Sequence, residues 1–156
     1  MLPINDVLNA ALLALLAGCI FSDVSRRIIP NILCLAVAVL GVIWVLYDNP
    51  QGLLYALIGG VLFLYGGLAL HKKGILGGGD IKLAAALVVW LSPIEIGRFV
   101  LTTMIAGGLV GVFYLAMGFV RRLRDKSAPA ASSVPYALAL VGGFLFLRPD
   151  HVLDFF

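Results

Sequence analysis

The chain is a succession of long apolar runs broken by short polar ones, and that alternation constrains its fold more than any single residue does. The runs are about 15 to 24 residues long, and about 20 residues of helix cross a hydrocarbon core of about 30 Å. With 62% hydrophobic and 12% charged residues, the 156-residue chain has too little polar surface to enclose a soluble domain. These features predict an all-α, polytopic membrane protein with about six transmembrane helices. The spans fall over residues 4–21, 31–47, 52–70, 80–91, 96–120 and 134–147, and residues 1–156 read as a single integral-membrane domain.

The breaks between the runs carry their own signals. Pro30 suits a first helical turn and starts the second span. Asp48-Asn49-Pro50 reads as a tight turn. The fourth span is short, since 80–91 rises only about 18 Å before Pro93. Leu16-Ala17-Gly18-Cys19 has the outline of a lipoprotein cleavage box, but Asp6 and no Lys or Arg precedes it, so the expectation is a membrane span. Residues 127–133 are small and polar and are expected to be mobile. Cys19 and Cys34 lie in or beside apolar runs and form no CxxC, so they suggest neither a zinc site nor a disulfide framework.

Six spans place alternate loops on alternate sides. One side then holds nine of the 11 basic residues: Arg26, Arg27, Lys72, Lys73, Lys82, Arg121, Arg122, Arg124 and Lys126. Arg98 and Arg148 fall on the other. The positive-inside rule makes the basic side cytoplasmic and puts the N-terminus and C-terminus outside. Arg26 and Arg27 read as topology determinants or contacts to membrane lipids. No basic tract is long enough to suggest nucleic acid.

Two acids stand out on the basic side. Asp80 opens the fourth span after Gly77-Gly78-Gly79, and Asp23 closes the first. A carboxylate at a span end is costly unless it is paired, solvated or used. Three glycines remove every Cβ from the approach to Asp80 and open unusual backbone angles. The plain alternative is a flexible turn with an acid at a helix N-terminus, where the macrodipole favours it. That explanation does not extend to Asp23, which sits at a helix C-terminus, where the dipole disfavours a negative charge. Two carboxylates at one depth of one bundle can divide acid–base work, one ionised to take a proton from water and one protonated to polarise a carbonyl.

Asp23 followed by Ile29-Pro30-Asn31, then Gly77-Gly78-Gly79-Asp80-Ile81-Lys82, then Val134-Pro135-Tyr136, resembles the pattern of the type IV prepilin peptidases. These are membrane-embedded aspartic proteases with a GxGD signature, and the resemblance covers essentially the whole chain. It is most similar to the small stand-alone peptidases of Flp-type, tight-adherence pilus systems. The resemblance implies a single peptidase domain of the bacterial inner membrane, with its site facing the cytoplasm. The implied reaction is removal of the short leader from prepilin substrates, without a cofactor or metal. The implied catalytic residues are Asp23 and Asp80. Gly77, Gly78, Gly79, Pro30, Asn31 and Lys82 are implied on the substrate side. An extended substrate strand could lie against the glycine amides. Lys82 is expected to tune a nearby carboxylate or to snorkel to headgroups, and snorkelling is favoured. The cytoplasmic CxxC insertion of larger, methylating members is absent, so the resemblance supports cleavage alone. Ala137 stands where members often have Gly.

Other mechanisms find less support. A metalloprotease would have only His71 on the basic side and no HExxH. No serine sits in a nucleophile motif. A presenilin-type protease carries its first Asp after Tyr inside a span, whereas Phe21-Ser22 precedes Asp23. A small transporter or assembly subunit using the aspartates for protons or cations would hold them near mid-membrane.

Overall fold

The structure, a computed structural model, describes residues 4–74, 76–124 and 136–148. All regular elements among them are helical: α1 (Ile4–Arg26), α2 (Asn31–Asp48), a 3₁₀ turn (Pro50–Gly52), α3 (Leu53–Lys72), α4 (Gly78–Val88), α5 (Pro93–Arg124) and α6 (Ala137–Leu147). α1, α2, α3 with its preceding turn, and α5 are each long and apolar enough to cross a bilayer. α4 and α6 have 11 residues each, about 16 Å of rise. The chain is an integral membrane protein with six helices in its described part, as the apolar runs predicted. The loop expected over 127–133 lies outside the described residues.

The short α4 is the centre of the bundle. α2, α3 and α6 pack on it, α1 fills the space between α2 and α6, and α5 runs along α6 and touches α3. Ile81, Leu83, Ala84, Ala85, Ala86, Leu87 and Val88 are all buried, while Lys82 stays exposed. A helix this enclosed needs close neighbours, and glycines supply the clearance. On α3, Gly67 receives the Ile81 side chain, and a Cβ at Gly60 would stand 3.1 Å from Val89. On α2, a Cβ at Gly41 would stand 2.7 Å from the Trp90 indole nitrogen. That nitrogen donates to the Val37 carbonyl at 3.1 Å, and the Trp90 ring stacks on Trp44 with centroids 5.8 Å apart.

The bundle therefore has two distinct ends. One carries the tryptophans, the end of α4 and the start of α5. The other carries the end of α1, the start of α2, the α3–α4 connection and the start of α6. Both aspartates singled out by the sequence lie at this second end. Exposed Arg26, Arg27, Lys72, Lys73 and Lys82 surround it.

The helices depart from the spans read in the sequence by up to five residues at their ends, and two of these departures bear on the aspartates. α1 continues to Arg26, so Ser22 and Asp23 are helical. The helix stops because Arg27 turns left-handed, with φ 56°, while its N–H still bonds the Asp23 carbonyl at 2.9 Å. α4 begins at Gly78, so two of the three glycines form a helical first turn.

Candidate active site

Asp23 projects from the last full turn of α1 into the bundle, with 7% of its surface exposed. Its Oδ2 accepts the backbone N–H of Ala137 at 3.0 Å. Ala137 is the first residue of α6. This resolves the difficulty of an acid at a helix C-terminus. The N-terminus of α6 faces Asp23 and offers both an unsatisfied N–H and the positive end of its dipole.

Asp80 is the third residue of α4. Its carboxylate reaches back to accept the backbone N–H of Gly77, the geometry an acid adopts in a capping box. Gly77 is extended, with φ −68° and ψ 140°. The glycines are thus not required for unusual backbone angles, contrary to the expectation from sequence; among described glycines only Gly74 has positive φ, at 72°. Gly77 and Gly79 are required for room. A Cβ at Gly77 would stand 2.5 Å from Asp80 Oδ2, and one at Gly79 would stand 3.3 Å from the Ile29 Cβ.

The two carboxylates share one neighbourhood, for the charge of Asp23 acts on Asp80. The Asp80 charge in turn acts on the Tyr136 phenol. Tyr136 precedes α6, and its ring lies across α5 where a Cβ at Gly107 would come within 3.1 Å. The site therefore draws on α1, α4, α5 and α6.

The Ile29-Pro30-Asn31 stretch holds these parts together. Ile29 is buried and packs on Gly79. Pro30, at φ −62° and ψ 135°, opens α2 and its carbonyl accepts the Leu33 N–H at 3.1 Å. Asn31 Oδ1 accepts the Lys82 ammonium at 2.8 Å. Lys82 therefore ties the start of α4 to the start of α2. His71 Nδ1 lies 2.8 Å from the Leu76 carbonyl, and its ring covers Gly78. Among the described residues, no three His, Cys, Asp or Glu side chains gather as metal ligands would.

Every described residue singled out for this site thus lies at one end of the bundle. A part not foreseen is the Ala137 N–H. A backbone donor has no side-chain signature, and the only trace of it in the sequence is its place directly after Pro135-Tyr136.

The pattern of residues 10–116 matches the model of the type IV leader peptidase family. The chain belongs to the type IV leader peptidase family. The match takes in both aspartates, the three glycines and Lys82, and it ends before α6. No curated protein and no solved structure matches the chain. Membership makes the protein a peptidase, and the family acts on prepilin substrates.

Proposed function

We propose that this protein is an aspartic endopeptidase of the bacterial inner membrane that removes the short leader of Flp-type prepilins at the cytoplasmic face. Residues 1–156 form its single peptidase domain, and Asp23 and Asp80 are its catalytic pair. The observation that carries this reading is the meeting of the two acids at one end of the bundle. Each is oriented by a backbone N–H, from Ala137 for Asp23 and from Gly77 for Asp80.

Such a pair works by sharing a proton. The ionised carboxylate takes a proton from water while the protonated partner hydrogen-bonds the scissile carbonyl. Water oxygen bonds to the carbonyl carbon, and the carbonyl oxygen takes the partner's proton. Collapse of this intermediate breaks the C–N bond. The leaving amine receives the proton first taken from water, and the pair recovers its single proton. Gly77 keeps the approach to Asp80 free of side chains. The exposed backbone before α4 and the unsatisfied N–H groups of its first turn suit an extended leader segment. The basic residues around the aspartates favour a cytoplasmic site by the positive-inside rule.

Co-expression with an Flp-type pilin precursor tests this directly. A precursor that migrates at its processed size with the enzyme, and at full size without it, supports the reading. A precursor left at full size contradicts the Flp-type assignment.

A further inference from the structure

At the end of the bundle opposite the aspartates, Arg148 follows α6 immediately and makes contacts to three other helices or their ends. Its Nη2 donates to the Trp90 carbonyl at 3.1 Å, just past α4. Its Nε lies 3.3 Å from Glu95 Oε1, and its Nη2 lies 3.4 Å from Glu95 Oε2, on α5. Its guanidinium sits 4.8 Å over the Trp44 ring of α2. Glu95 is fixed in turn, since it accepts the Ser92 N–H at 2.8 Å at the start of α5. The Arg148 and Glu95 side chains are 17% and 23% exposed, so the pair is largely shielded from solvent. An ion pair so placed is costly to break from one side, because the remaining charge loses its partner.

α6 itself is one uninterrupted helix of 11 residues. Such a helix is about 16 Å long and does not stretch. Where one end is pinned, the axial position and rotation of the other follow. The other end is Ala137, whose N–H holds Asp23. Midway, Gly143 brings the α6 backbone against Thr103, and the Thr102 hydroxyl donates to the Gly143 carbonyl at 3.1 Å. α6 is thus seated against α5 along its length and fastened by charge at its far end.

We infer that Arg148 is a positioning residue for the peptidase reaction: it sets the register of α6 and so keeps the Ala137 N–H on Asp23 from the opposite end of the bundle. This inference rests on the catalytic pair proposed above. It gives α6 a mechanical task that neither its apolar sequence nor the family match describes.

The test is a double-mutant cycle read as kcat and KM on a prepilin precursor, per folded molecule of purified full-length enzyme in lipid. Arg148→Leu is expected to lower kcat about tenfold with KM unchanged. Arg148→Lys keeps a charge for Glu95 and is expected to stay within about threefold of wild type. Ala137→Pro removes the N–H at the start of α6, at the cost of crowding Tyr136, whose φ −81° and ψ −18° are disfavoured before proline. In that background, Arg148→Leu is expected to lower kcat no further, since the bond it maintains is already gone. Should Ala137→Pro fail to insert, Glu95→Gln replaces it in the cycle, and its loss must not multiply with that of Arg148→Leu. Unchanged kcat in Arg148→Leu, or losses that multiply in the cycle, overturns the inference. A wild-type enzyme that cleaves no precursor overturns the proposed function instead, so the two failures are distinct.

Discussion

Replacing Gly77 by alanine adds one methyl group to the protein and aims it at the Asp80 carboxylate. The new Cβ would stand 2.5 Å from Oδ2. Ordinary contact begins near 3.4 Å, so the carboxylate must retreat by about 0.9 Å. The backbone need not change, because φ −68° and ψ 140° suit alanine as well as glycine. The expected damage is therefore to the position of one carboxylate and to its bond with the Gly77 N–H. A misplacement of about 1 Å in a reacting group costs about 10²-fold in rate, which is about 2.7 kcal/mol of transition-state stabilisation. Purified Gly77→Ala enzyme in lipid nanodiscs should show kcat about 10²-fold below wild type on a leader-bearing precursor. Its thermal unfolding midpoint should lie within a few degrees of wild type. Activity within twofold of wild type would refute the argument that the first glycine exists to clear space for Asp80. A large fall in the unfolding midpoint would show that the methyl group acts on the fold.

Three further outcomes follow from the same geometry. Lys82→Ala and Asn31→Ala each remove the 2.8 Å bond between the starts of α4 and α2; because the pair is exposed, each should cost no more than about 1 kcal/mol in stability, and the double variant should lose no more than either single one in a denaturant titration. The pH dependence of kcat/KM should be bell-shaped, with both limbs belonging to the aspartate pair, and a profile that stays flat from acid to neutral pH would contradict a shared proton. Single cysteines at Ser25 and Gly74, in a background lacking Cys19 and Cys34, should resist an impermeant thiol reagent in intact cells, while one at Asn49 should react; strong labelling at position 74 would reverse the assigned topology.

Much of this arrangement was legible in the sequence because its signals are local. The apolar runs marked the helices, and Pro30 fixed the start of α2 at Asn31. The end of α1 was read short because Ser22-Asp23-Val24-Ser25 is polar, yet these residues complete a helix whose acid is satisfied by α6. The glycines looked like a loop; two of them are helical because Asp80 reaches back to cap the turn they form. The left-handed positions fall at Gly74, the glycine that ends α3 after its basic last turn, and at Arg27, which ends α1 without a glycine to announce it. That Asp23 and Asp80 lie at the same end of the bundle could be anticipated because both acids contradict their apolar surroundings. The Arg148–Glu95 pair could not, since its members lie 53 residues apart and each reads alone as a loop or helix-end charge.

The central claim is that Asp23 and Asp80 together cleave the precursor, and the most direct test is processing by the corresponding asparagine variants. Asparagine keeps the shape of each side chain but cannot exchange the proton that the pair must share. At matched membrane levels, with a co-expressed precursor, Asp23→Asn and Asp80→Asn should each leave essentially all of the precursor uncleaved. Asp48→Asn, at the tryptophan end of α2, should process it as wild type does. Full processing by either Asp23→Asn or Asp80→Asn would contradict the aspartic mechanism.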